Sequence, residues 1–193
     1  ETCNRAGLGL IALARAGAPA SAGEVMEKVI GFDYEAIEEK QDRLNLLRAL
    51  TLALTRGGPP APEARLRVLD WLDKIYPAAS VKENRDLTAL LARLESPSFV
   101  GKAMKLLENS TSQEEQITYA MNLRFMREGW SPPLRLQYFR WLARSGRYHG
   151  GPRFRAYLSD IRRDAIASIP VSERTPELSK LFQEPAGKGP AQF

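Results

Sequence analysis

Few residues in this chain are equipped for catalysis. There is one histidine, His149, and one cysteine, Cys3. His149 lies in the run Tyr148-His149-Gly150-Gly151. A loop imidazole beside glycines is accessible enough to act as a base or a metal ligand. With no second histidine and a single cysteine, neither a histidine-built metal site nor a multi-histidine catalytic centre is expected. Cys3 reads as a small buried residue rather than a nucleophile. The carboxylate pairs Glu38/Glu39 and Glu114/Glu115 fall on helix starts or outer faces, where capping or solvation explains them. No phosphate-cradling glycine loop occurs, and no Cys-x-x-Cys-His is present to attach a haem. No catalytic, cofactor-binding or metal-ligating set is therefore expected in this segment, and it is read as non-enzymatic.

What remains is charge. The 193 residues carry a formal net charge of +5, divided unevenly. Residues 1–100 sum to −1 and residues 101–193 to +6. From Arg124 to Arg163 there are ten arginines, no lysine, and only Glu128 and Asp160 in opposition. Eight of the sixteen aromatic residues fall in the same window. Guanidinium groups stack on rings and pair bidentately with carboxylate or phosphate, so this composition suits an interaction surface. It also suits packed helices with polar outer faces, because arginine tolerates partial burial. The contact residues expected are Arg135, Arg140, Arg144, Arg147, Tyr148, His149, Arg153 and Arg155.

The elements that must position them are helices. Apolar residues recur at three- and four-residue spacing, and no segment alternates with period two. The spacing predicts helices over about 3–16, from a Ser21/Glu24 capping box through Ile30, and over 34–56. Gly57-Gly58-Pro59-Pro60 ends the third. Further helices are expected over about 62–76, 81–94 and 99–107. Another is expected from a Thr111/Ser112–Glu114/Glu115 box to near Gly129. Ser131-Pro132 opens the next as N-cap and first helical residue, and the last two span about 154–169 and 172–182. The polar run Gln113-Glu114-Glu115-Gln116 reads as a capped first turn, and Trp130 as a plug over the core. Residues 183–193 are rich in Pro, Gly and Ala and read as a tail or linker. About ten short helices with no strand imply an all-α domain over 1–182, a HEAT-like α-α solenoid of stacked antiparallel pairs. No apolar run is long enough to cross a bilayer, and no basic segment leads into an apolar one as in a signal peptide.

Several motifs from Glu83 to Ala165 occur in the order seen in a known helical region. They are Glu83-Asn84-Arg85-Asp86-Leu87 with Leu90-Leu91, and Thr111 to Ala120. Gly129-Trp130-Ser131-Pro132, Tyr138-Phe139-x-Trp141, Gly150-Gly151-x-x-Phe154 and Ile161-Arg162-Arg163-Asp164-Ala165 follow. This set resembles the HEAT-like region of planctomycete-type, membrane-bound-dehydrogenase-like proteins. Ser112 is one residue more than the resembled motif carries. The resemblance implies a larger exported or periplasmic parent, with a β-propeller before the helices and a c-type cytochrome domain after them. It implies that any haem belongs to the parent and none to this segment.

The function expected is thus a non-catalytic helical scaffold that contacts flanking domains of its parent or another protein. The alternative is a nucleic-acid-binding helical repeat using the window 124–163, since a basic helical face can track a phosphate backbone.

Overall fold

Ten α-helices and two short 3-10 turns account for the regular structure among the described residues, and no strand is present. The computed structural model describes the backbone of residues 2–183, with side chains from Gly7 onward except Pro19. The side chain of Cys3 and the segment 184–193 lie outside what is described. The chain divides into two compact units between Leu94 and Glu95.

The first unit contains α1 (Thr2–Ala16), α2 (Ala22–Ile30), α3 (Lys40–Gly57), α4 (Pro62–Ile75) and α5 (Val81–Arg93). α1 rests on α2 and α3, α2 on α3 and α4, and α5 on α3 and α4. Packing onto the helix one or two places along the chain is the pattern of stacked helix pairs. α1 and α3 run parallel. Gly7 faces Asn45 near their starts, and near their ends an Arg56 Nη2 donates to Gly17 O at 3.4 Å. The core is leucine-rich: Leu46, Leu47, Leu50 and Leu54 of α3 are buried, as are Leu72, Leu87 and Leu91. Each such leucine contributes roughly 2 kcal/mol by leaving water.

Two expectations are corrected in this unit. The third helix begins at Lys40, not Tyr34. Tertiary bonds outcompete helical ones over residues 34–39. Tyr34 is buried, its ring meets Trp71 edge-on at 5.6 Å, and its hydroxyl donates to Glu83 Oε2 at 2.9 Å. Arg43 Nε donates to Ile37 O at 2.7 Å, holding the irregular carbonyl. Nor does Ser21 cap α2 through its side chain. Its hydroxyl donates to Ala18 O at 2.6 Å, closing the 3-10 turn Pro19–Ser21. Glu24 pairs with Lys28 instead.

The second unit contains α6 (Phe99–Asn109), α7 (Gln113–Leu123), α8 (Pro132–Ser145), α9 (Phe154–Ala167) and α10 (Pro176–Gln183). α6 packs on α7 and α8, α9 on α7 and α8, and α10 on α8. α7 and α9 run parallel. Tyr157 OH donates to Met121 Sδ, and one or two turns later Asp164 meets Arg124 at 3.2 Å. Ser131 opens α8 as its sequence indicates, accepting from Leu134 N, with Pro132 in the first turn.

α7 stops at Leu123, well short of Gly129. Met126 folds back into the core, and its carbonyl accepts from Trp130 Nε1 at 2.9 Å. Gly129 has φ +83°, and a Cβ there would strike the Pro97 carbonyl. Trp130 therefore closes the turn, as its position suggested. Half of the Ser112 capping box forms. Ser112 Oγ accepts from Glu115 N at 3.4 Å. The Glu115 carboxylate turns away to accept from Ser110 Oγ and Tyr119 OH, each at 2.8 Å. The final helix starts at Pro176 rather than Ser172, behind the 3-10 turn Val171–Glu173, and includes Gln183. No helix among the described residues is long and apolar enough to cross a membrane.

Candidate functional site

The connection between α8 and α9 carries the Tyr148–His149 run, and it is fastened from below. Arg147 N and Tyr148 N donate to Arg144 O and Ser145 O, continuing the last turn of α8. Two glutamines on the first turn of α7 hold the rest of the loop. Gln116 Oε1 accepts from Trp141 Nε1 at 2.7 Å and also from Tyr148 OH. Its Nε2 donates to Ser110 O at 2.5 Å, which fixes the orientation of the amide. Gln113 Nε2 donates to His149 O at 2.7 Å, while its Oε1 accepts from His149 N at 3.0 Å. The Tyr148 ring stands edge-on to Trp141 at 6.0 Å. At Gly150 a Cβ would strike the Phe154 ring, whereas Gly151 faces open space. A loop built this way presents its outward side chains from a fixed backbone, which lowers the ordering cost of contact.

The eight expected contact residues separate into two groups. Arg135 is 3% exposed. Its Nε donates to Glu173 Oε2 at 2.7 Å, an Nη2 donates to Arg127 O at 3.2 Å, and the guanidinium lies 5.2 Å from the Trp130 ring centre. This buried brace holds the turn ahead of α8 and is not available to a partner. Arg140 is exposed, but Glu177 answers its charge at 3.0 Å. Tyr148 is half-buried and spent on Gln116. Arg144, Arg147, Arg153 and Arg155 are exposed and form no ion pair among the described residues. His149 is also exposed, and its imidazole has no hydrogen-bond partner there.

These four arginines flank one connection: Arg144 is in the last turn of α8, Arg147 just beyond it, Arg153 at the N-cap of α9 and Arg155 in its first turn. Arg144 and Arg147 lie beside the carbonyl end of α8, where cations are favoured. Arg153 and Arg155 lie at the start of α9, where they are disfavoured. That helix has no acidic residue in its first turn and no side-chain cap. The arrangement works against helix stability by a few tenths of a kcal/mol per charge, and such departures from local preference concentrate at functional sites.

Of the other arginines in the window, Arg124, Arg135, Arg140 and Arg163 are paired with carboxylates, while Arg127 is exposed and forms no ion pair among the described residues. Arg124 Nε lies 3.2 Å from Asp164 Oδ2, and its guanidinium covers the exposed Phe125 ring at 4.3 Å. Arg163 pairs with Asp160 and Asp164. Arg162 is buried and donates to Leu181 O. The continuous basic stretch of the sequence thus leaves Arg127 and the four arginines flanking the α8–α9 loop without a carboxylate partner among the described residues.

Among the described residues no group of three or more His, Cys, Asp or Glu side chains converges to hold a metal ion. The c-type haem implied by the resembled proteins does not fit these residues, since its two-cysteine attachment motif is absent from the sequence. Known protein families, curated proteins and solved structures include no match to this chain. The functional reading therefore rests on the edge itself.

Gln113 and Gln116 hold this loop, whereas sequence reasoning placed them only in a capped turn. Their spacing of three residues puts them on one helix face, but the loop they hold lies more than thirty residues away.

Proposed function

We propose that this chain is a non-catalytic, HEAT-like interaction domain whose contact surface is Arg144, Arg147, His149, Arg153 and Arg155. Its occupant is a compact acidic segment of a flanking domain or of another protein. The carrying observation is that these four arginines alone, among the expected contact arginines, are exposed on or beside a fastened loop without a carboxylate partner among the described residues. Arginine forks match carboxylates in pairs, and a fixed backbone limits the entropy lost on docking.

The same geometry argues against a backbone-tracking nucleic-acid surface. A phosphate chain needs cations spread along its path. Here four neighbouring arginines, Arg124, Arg135, Arg140 and Arg163, are paired with Asp160, Asp164, Glu173 and Glu177, which leaves Arg127 as the exposed exception. Glu114 is exposed on the α7 turn that holds the loop. The ordered motifs from Glu83 to Ala165 support a parent of the exported, dehydrogenase-like kind. In it this domain places its neighbours, and any redox chemistry belongs to them.

The test is fluorescence anisotropy with two labelled probes at low salt, an oligoglutamate peptide and a DNA duplex. Saturable binding of the peptide, weakening with salt, is the expected result. Tighter binding of the duplex at matched salt would replace this reading with the nucleic-acid one.

A further inference from the structure

We propose a second, independent binding site in the first unit, a cavity that accepts one arginine side chain from an extended segment of a partner protein. The cavity is an open cleft of about 340 Å³ lined by Phe32, Asp33, Tyr34, Glu35, Trp71, Lys74 and Ile75. That volume is at the small end for ligand sites and suits a single long side chain.

Its wall chemistry selects the occupant. The aromatic donors are already committed. Trp71 Nε1 donates to Phe32 O at 3.2 Å, and Tyr34 OH donates to Glu83 Oε2 at 2.9 Å. The cations nearby are committed too. Lys74 Nζ bonds Asp70 Oδ2 at 2.6 Å. Arg43 is held by Ile37 O and Glu35 O and lies 3.9 Å from Glu83. Acceptor atoms are left open on the two carboxylates of the lining. Asp33 Oδ1 accepts from Glu35 N and Ala36 N, which fixes the carboxylate. Its second oxygen, and both carboxylate oxygens of Glu35, have no partner among the described residues. Glu38 and Glu39, exposed on the same segment, deepen the negative charge.

A complementary group must donate hydrogen bonds, carry positive charge and tolerate an aromatic wall. Guanidinium meets all three requirements; an ammonium is a strongly hydrated point charge and lacks the planar face. The charge is opposite to that of the arginine edge, so the two sites take different partners.

The experiment follows the Trp71 indole N–H cross-peak, assigned with W71F, in ¹H–¹⁵N spectra of the whole chain. The probe is N-acetyl-arginine methylamide. Its neutral isostere, N-acetyl-citrulline methylamide, is titrated in parallel. A saturable shift is expected with the arginine probe only. The double variant D33N/E35Q removes both charges yet leaves a side-chain carbonyl at position 33 to accept the turn bonds. It should bind about tenfold more weakly, at up to ~1 kcal/mol per exposed ion pair. An equal response to both probes, or an unchanged affinity in the folded double variant, would overturn the proposal. So would self-association of the protein alone that D33N/E35Q abolishes, because the occupant would then be a second copy.

Discussion

The side-chain amide of Gln113 makes both of its bonds to the backbone of His149, donating to the carbonyl at 2.7 Å and accepting from the N–H at 3.0 Å. One residue at the start of α7 thus satisfies both backbone polar groups at the centre of the contact loop. With Gln116 beneath Tyr148 and Trp141, it makes the loop part of the scaffold.

Removing this support should loosen the loop before it unfolds the domain. Gln113→Ala is expected to accelerate amide hydrogen exchange at His149 while global stability falls by only about 1 kcal/mol. Gln116→Ala should cost more, about 1–3 kcal/mol, because it strands the Trp141 and Tyr148 donors in a partly buried site. Urea unfolding and exchange rates measured on the same variants check the two claims together.

Three glycines should respond differently to one methyl group. Gly129→Ala combines a φ of +83° with a collision against the Pro97 backbone, so a loss of about 2–4 kcal/mol is expected. Gly150→Ala strikes the Phe154 ring, a side chain with some room to move, and should lose less. Gly151→Ala meets open space and should be neutral or gain up to about 1 kcal/mol by restricting the unfolded chain. Thermal unfolding of the three variants gives the order.

Arg135 and Arg140 stand five residues apart on α8 and should behave oppositely. Arg135→Ala removes a buried cation from Glu173, the Arg127 carbonyl and the Trp130 ring, and a loss of about 1–3 kcal/mol is expected. Arg140→Ala breaks an exposed pair with Glu177 and should change stability by less than about 0.5 kcal/mol. Equal effects in denaturant melts would contradict the division of the window into braces and surface.

Asp86 gives a pH dependence. Burial raises its carboxyl pKa above the usual 3.8, against the lowering pull of Arg85 and Arg48. A raised value means that the folded state holds the proton to higher pH than the unfolded chain. The charged carboxylate therefore costs stability once pH rises through the folded value, and below 3.8 the cost is gone. Asp86→Asn should raise Tm at neutral pH, and the gain should shrink to nothing as the buffer is taken down to 3.8. A gain that persists unchanged in acid would point to packing instead.

The fold class was legible because helix periodicity, Pro62, Ser131-Pro132 and the Gly57–Pro60 break act locally. The departures arose where distant groups intervened. Glu83 and Trp71 drew Tyr34 out of a helix, and the Pro97 carbonyl shaped the turn at Gly129. For the candidate site, spacing marked a stretch of arginines but did not show which of them are exposed and which are paired. Charge in sequence does not reveal which arginine finds a carboxylate, and Glu173 and Glu177 lie nearly forty residues beyond the arginines they neutralise. The two clamping glutamines were visible as a polar run, while their bonds to the loop depend on how α7 and α8 pack.

The claim that the α8–α9 edge is the contact surface is tested most directly by two charge-matched double variants. R147Q/R153Q removes two unanswered arginines, and R140Q/R163Q removes two already paired with carboxylates. In anisotropy titrations with labelled oligoglutamate, the first should weaken binding about tenfold and the second less than about twofold, at up to ~1 kcal/mol per rim charge. Equal losses in both, with both proteins folded, would show that binding follows net charge alone and would contradict the assigned edge.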